Sequence, residues 1–177
     1  KGPPGIGTRP MSDKIRQAVF SVLASLGVEP DRVLDLYAGT GAIGIEALSR
    51  GAEHADFVEM TAPAAAVIRE NLERTQLTDS GTVYRQSVQS YLHRKTEPYD
   101  LVILDPPYAD QAIPDTLRQI GESALVQSGT VVVLGHWPRL ELPEQIGRLH
   151  QLRRRCHGNT CFSIFEVDDP DAPGADA

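Results

Sequence analysis

From Arg32 onward the chain alternates short apolar runs with amphipathic stretches, a pattern that predicts strand and helix in turn. Residues 33–37 read as a buried first strand, followed by a glycine loop and a helix over residues 42–50. Residues 55–59 read as a second strand. Thr61 caps a helix over residues 63–74, with Pro63 at its permitted first position. A third strand over residues 82–85, a short helix over 88–92 and a fourth strand over 99–104 follow. Residues 113–120 are expected to be helical and residues 130–134 a fifth strand. Ahead of this series, Ser12 or Asp13 caps a helix whose face is Ile15, Val19, Val22, Leu23 and Leu26, and Gly27 stops it. The chain ends differently: two extended runs, residues 149–157 and 161–167, meet at Gly158-Asn159, a hairpin signal. The pattern is an α/β sheet, mostly parallel, closed by an antiparallel pair.

The loop after the first strand, Gly39-Thr40-Gly41-Ala42-Ile43-Gly44, is a G-x-G-x-x-G between strand and helix. Glycines there let the backbone turn tightly and approach a ligand closely. Asp35 stands four residues before the first glycine, and Glu59 ends the second strand, where a carboxylate can accept both hydroxyls of a ribose. Two ligands suit such a crevice. NAD would lay its pyrophosphate on the helix amides. S-adenosylmethionine has no phosphate and needs a carboxylate for its ammonium, which Asp35 can supply unless it only braces the turn.

Asp105-Pro106-Pro107-Tyr108 follows the fourth strand and so stands at the carboxyl edge, where open α/β sheets bind ligands. The exocyclic amine of a base is planar, its lone pair delocalised into the ring. An acceptor on each N–H turns that lone pair toward an incoming methyl group. The Asp105 side chain and the Pro106 carbonyl are suitable acceptors, the prolines stiffen the turn, and Tyr108 offers a face for base stacking. Alone, Asp-Pro is a common turn start; its place on the fourth strand, after a glycine loop on the first, points to amine chemistry.

These segments resemble the bacterial 16S ribosomal RNA guanine-N2 methyltransferase family, over residues 9–166. The resemblance is carried by Arg9-Pro10-Met11-Ser12-Asp13-Lys14-Ile15-Arg16-Gln17-Ala18-Val19-Phe20, by residues 34–52 with Glu46-Ala47-Leu48-Ser49-Arg50-Gly51-Ala52, and by Asp105–Tyr108. It implies a Rossmann-like class I methyltransferase fold: a seven-stranded, mostly parallel sheet with a C-terminal antiparallel hairpin and helices on both faces. It implies S-adenosylmethionine at Asp35, Tyr37, Ala38, Gly39, Thr40, Gly41, Glu59, Met60, Ser87, Val88 and Asp105, and the base amine at Asp105, Pro106, Pro107 and Tyr108. It also implies ribosomal RNA as partner, within an assembling small subunit alongside ribosomal proteins, and a cytoplasmic monomer. Three positions depart from the family pattern. Met60-Thr61 follows Glu59 where a second acid is usual, Gln86-Ser87-Val88 lacks the common Asp, and Gly135-His136-Trp137-Pro138 ends the fifth strand without an acidic residue.

Charge and cysteine content change this picture little. The net charge of −7 is drawn partly from Glu166, Asp168, Asp169, Asp171 and Asp176, and without them 19 acids face 17 Lys and Arg. A near-neutral body binds RNA only where its cations cluster. Candidate contacts are Arg9, Lys14 and Arg16 near the pocket mouth, and Arg153 and Arg155, which alternation sets on one face of the penultimate strand with Arg154 on the other. A solvated charged face explains the same arginines. Cys156 and Cys161 would stand opposite each other across the hairpin turn, close enough for a disulfide, yet a reduced compartment and free thiols are the default for two cysteines. A metal site with His157 lacks an evident fourth ligand, and no metal is expected. No apolar run approaches a membrane span.

The chain divides into an arm and helix over residues 1–30, packing near the cofactor pocket, a methyltransferase domain over 31–167, and an acidic tail over 168–177, too polar to fold alone. Lys1 in place of Met suggests a missing start, and with it a basic arm. Two other functional classes share some of these features. An adenine-N6 DNA or protein-glutamine methyltransferase shares the Asp-Pro-Pro-Tyr turn but usually carries an extra recognition domain. An NAD-dependent oxidoreductase or a non-catalytic nucleotide-binding module shares the glycine loop, but no hydride-transfer residue set is visible.

Overall fold

A computed structural model describes residues 11–171. Strands β1 (Arg32–Leu36), β2 (His54–Glu59), β3 (Gly81–Arg85), β4 (Leu101–Leu104), β5 (Val131–His136), β6 (Gln145–Ile146), β7 (Leu149–His157) and β8 (Thr160–Val167) form one sheet in the order β3-β2-β1-β4-β5-β8-β7-β6. The first five are parallel to one another, and β8 runs antiparallel between β5 and β7. This is the Rossmann-like architecture with a closing hairpin that the strand pattern predicts. It has eight strands rather than seven. The additional strand is β6, a two-residue edge pairing only with β7, too short to leave a periodic signal in the sequence.

The central parallel strands β1, β4 and β5 are buried on both faces and read as largely continuous apolar runs. One face packs against α1 (Asp13–Ser25), α2 (Ala42–Ser49) and α3 (Ala62–Arg74). The other packs against the short α4 (Val88–Tyr91) and α5 (Ile113–Glu122). Helix starts follow local chemistry: the Ser12 side chain accepts the Ile15 amide, Thr61 accepts that of Ala64, and Ser87 accepts that of Ser90. The α1 stripe is centred on Ile15, Val19, Phe20 and Leu23, leaving the expected Val22 and Leu26 half-buried at its margin. Phe20 takes that place with the Arg50 guanidinium over its ring.

A buried polar chain ties the lower part of the sheet together. The Tyr99 hydroxyl donates to Asp56 Oδ2 and lies 2.6 Å from the Tyr91 hydroxyl, while His54 Nε2 lies 2.8 Å from Asp56 Oδ1. Burial and these bonds push the Tyr99 hydroxyl pKa well up, and burial, against the Tyr99 hydrogen bond, pushes that of Tyr91 up to about 12, so both stay neutral and serve as hydrogen-bonding groups.

At the C-terminal end, Gly158 and Asn159 form the expected two-residue turn, with His157 opposite Thr160 and Cys156 opposite Cys161. A disulfide joins Cys156 and Cys161, against the expectation of free thiols. Compartment chemistry set that expectation, whereas the turn brings the two Cα atoms to 4.0 Å. The described chain also continues past residue 167, where the acidic tail was expected to begin. Asp168 accepts from Gln145 Nε2 and pairs with His150, and its carbonyl accepts from Arg148. The remaining tail from residue 172, like the arm before Met11, lies outside the described residues.

Candidate active site at the carboxyl edge

The strand order reverses at β1, whose neighbours are β2 and β4, and the crevice above that switch point is where the predicted residues meet. The loop leaving β1 is pinned at each step. Tyr37 turns the backbone with φ 55°, the Ala38 amide donates to the Val58 carbonyl, and the Gly39 amide donates to Glu59 Oε2 at 2.9 Å. Gly41 begins α2 at φ 78°. Asn71 of α3 donates to the Thr40 carbonyl at 2.9 Å, a buttress that local sequence pattern did not mark. Gly44 lets α2 lie against the sheet, since a Cβ there would stand 2.4 Å from the Phe57 ring.

Asp35 is buried, and its Oδ2 accepts the Gly44 amide at 3.0 Å. It therefore does brace the turn. Burial pushes its carboxyl well above the usual carboxylate range, the Gly44 amide pulls it back, and the charges of Asp105 and Glu59 raise it further. Three carboxylates thus share one crevice, and no Lys or Arg among the described residues enters the electrostatics of Asp35 or Asp105.

Asp105, just beyond β4, is pushed up to about 7 by burial, against which the Met11 amide acts. Its side chain lies over Gly135 of β5: a Cβ on Gly135 would meet Asp105 Oδ1 at 2.7 Å and Met11 Cε at 2.9 Å. Neither Gly135 nor Met11 was among the predicted site residues. A glycine inside an apolar strand is the signal that can find the first, because it marks a close approach. Pro106 is buried and Pro107 exposed. The Tyr108 hydroxyl donates to Thr160 Oγ1 at 3.3 Å, tying this segment to the start of β8 beside the hairpin turn.

The remaining predicted residues fall around the same rim. Met60 is exposed beyond Glu59, free to cover a ligand from outside. The Ser87 hydroxyl is engaged as the cap of α4, with Val88 buried behind it. His136 stands where an acid was expected. Its Nδ1 donates to the Trp137 carbonyl, its Nε2 accepts from the Ser163 hydroxyl, and burial lowers its pKa, so it sits neutral and satisfied.

The candidate RNA contacts divide. Lys14 is exposed. Arg16 is turned inward, donating to the Met11 carbonyl and pairing with Asp13, and Arg9 lies outside the described residues. A bulge at Leu152 resets the β7 register, so Gln151 pairs with Phe165 but Arg153 and Arg155 pair with Ile164 and Phe162. Both arginines thereby share the α1 side of the sheet, with Arg154 opposite Ser163 on the other. Among the described residues, no group of three or more His, Cys, Asp or Glu is arranged to hold a metal ion.

Comparison with known proteins places the chain among relatives of similar length and the same fold. The chain is 34% identical over 165 residues to "Putative rRNA methyltransferase YlbH" of Bacillus subtilis, covering 92% of this chain and 89% of that protein. It is 26% identical over 174 residues to ribosomal RNA small subunit methyltransferase D of Escherichia coli, covering 98% and 87%. A solved conserved hypothetical protein of Streptococcus pyogenes superposes with a TM-score of 0.80 at 30% identity, covering 88% of this chain and 96% of that one. A family model described as conserved hypothetical protein 95 matches residues 1–166, and the chain belongs to that family.

Proposed function

We propose that this protein transfers a methyl group from S-adenosylmethionine to the exocyclic N2 amine of a guanine in 16S ribosomal RNA. The observation that carries the reading is the meeting of Asp35, Glu59 and Asp105 at one crevice, where the charges of Asp105 and Glu59 raise the Asp35 carboxyl and no cationic side chain among the described residues offsets it. Such a site favours a ligand that brings positive charge. S-adenosylmethionine carries an ammonium and a sulfonium, whereas the pyrophosphate of NAD would add negative charge to an acidic cleft. The donor set therefore fits the methyl donor and disfavours the oxidoreductase alternative.

In this reading S-adenosylmethionine, when bound, supplies an electrophilic methyl group. Asp35 would hold its ammonium and Glu59 its ribose hydroxyls, with Tyr37 to Gly41 lining its length and Met60, Ser87 and Val88 its adenine. Asp105 and the Pro106 carbonyl accept the two N–H groups of the guanine amine and direct its lone pair at the methyl carbon. Pro107 stiffens the turn and Tyr108 stacks on the base, a contact worth about 1–3 kcal/mol. As the N–C bond forms, the bond between the methyl carbon and the sulfonium sulfur breaks, S-adenosylhomocysteine is the leaving group, and the amine proton passes to Asp105 or to water. Catalysis on this account is mainly orientation.

Arg153 and Arg155 are proposed to hold phosphates of the same strand. Gly135, Phe162 and Arg155 stand in one row across β5, β8 and β7, which sets Arg155 about 10 Å from the wall beside Asp105, given the spacing of neighbouring strands. Lys14 adds to that face. The names of the relatives support a ribosomal RNA substrate, and that of the Escherichia coli protein one of the small subunit. On this reading the enzyme is a monomer that meets its RNA in the cytoplasm, on an assembling subunit with its ribosomal proteins.

The test is incubation with labelled S-adenosylmethionine and small subunits that lack the modification, followed by nucleoside analysis. Label in N2-methylguanosine is expected. Label in N6-methyladenosine, or none in RNA, would overturn the substrate assignment.

A further inference from the structure

Met11 stands immediately before the cap of α1, outside the helix ladder. The first intrahelical bond runs from the Arg16 amide to the Ser12 carbonyl, so helix formation does not itself fix the Met11 peptide. Two other contacts do. Arg16 Nη1 reaches back to the Met11 carbonyl at 2.8 Å, while its other nitrogen pairs with Asp13. On its other side, Met11 is buried against Asp105: its methyl and Asp105 Oδ1 converge on the same space above Gly135, and its amide is directed at the Asp105 carboxyl. Arg16, Met11 and Asp105 therefore form a chain of contacts linking a helix surface to the catalytic turn. The planar guanidinium suits this role, since its fork holds two acceptors in a fixed relation.

We propose that Arg16 is a positioning residue for Asp105, gripping the Met11 carbonyl so that the Met11 amide and side chain hold the carboxylate in the orientation that addresses the substrate amine. The proposal deepens the methyltransferase reading and rests on it for the identity of that amine, but the state of Asp105 can be measured without any substrate. It assigns Arg16 to the interior of the site rather than to RNA.

The test follows the titration of Asp105 by NMR with carbon-labelled aspartate, its signal identified by loss in Asp105→Asn. Arg16→Gln frees the Met11 peptide, withdraws its amide and is expected to move the Asp105 midpoint upward by about 0.5–1 unit, the direction in which losing a donor to a carboxylate acts. Arg16→Lys, which keeps one donor, should return part of that shift, and Asp13→Asn should leave it where it is. In the methyl-transfer assay Arg16→Gln should lower kcat about two- to fivefold near pH 7, recover at pH 9, and leave KM for S-adenosylmethionine unchanged.

An unmoved Asp105 midpoint in both Arg16 variants overturns the proposal, even if their melting temperature falls. A raised KM for RNA with unchanged kcat also overturns it and returns Arg16 to the RNA surface. A wild-type enzyme that methylates no guanine would sink the functional reading instead, and the titration would still decide the role of Arg16.

Discussion

Gly135 and Asp105 are matched in size: the carboxylate occupies the space a β-carbon on Gly135 would need, 2.7 Å from Oδ1. Gly135→Ala should displace Asp105 or Met11 and reduce kcat by at least tenfold. It should leave KM for S-adenosylmethionine within about twofold, because Asp35 and Glu59 are on other strands. Steady-state kinetics with both substrates separates these effects.

Asp105→Asn should abolish transfer, by a factor of about 100 or more, while calorimetry still detects the methyl donor. The wild-type rate should fall as pH drops below about 7, where the Asp105 carboxylate gains its proton. The stability effect has the opposite sense. A carboxyl whose folded pKa is raised favours the fold at low pH, and that contribution is lost as pH rises from its unfolded value to about 7. The Asn variant should therefore gain melting temperature progressively from about pH 4 to 7, reaching on the order of 5 °C above that.

Gly44→Ala sets a methyl 2.4 Å from the Phe57 ring and 3.2 Å from Asp35 Oδ2. Phe57, on β2, is fully buried and cannot move aside without opening the core. Denaturant unfolding should show a loss of about 2–3 kcal/mol, the range of overpacked cores, together with weakened binding of the methyl donor as α2 is levered off Asp35.

Tyr99→Phe removes the hydroxyl that bridges Tyr91 and Asp56. It leaves Asp56 Oδ2 without that donor in a buried site. A cost of about 1–3 kcal/mol is expected, with kcat unchanged at temperatures where the variant is folded.

Reduction of the Cys156–Cys161 disulfide opens a short loop whose ends already pair across a hairpin. The chain-entropy argument sets an upper limit of about 2 kcal/mol. Melting with and without reductant should show a drop within that limit. Activity should persist, because Thr160 and Phe162 keep their partners on β7.

The elements of this protein were legible along the chain because each is signalled locally. Period-two and continuous apolar runs marked the strands, and Ser12, Thr61 and Pro63 marked helix starts. Gly158-Asn159 marked the hairpin, and the placement of Gly39–Gly44 and Asp105–Tyr108 after strands put both at the carboxyl edge. Tertiary structure decided what lies across that edge. Met11, Asp105 and Gly135 meet from the start of a helix and the ends of two strands, Asn71 reaches Thr40 from α3, and Arg16 turns inward. The β6 edge and the Leu152 bulge arise only from pairing. Local periodicity states which face a residue takes. Which distant residue shares that space depends on register and packing, and these exist only once the sheet has closed.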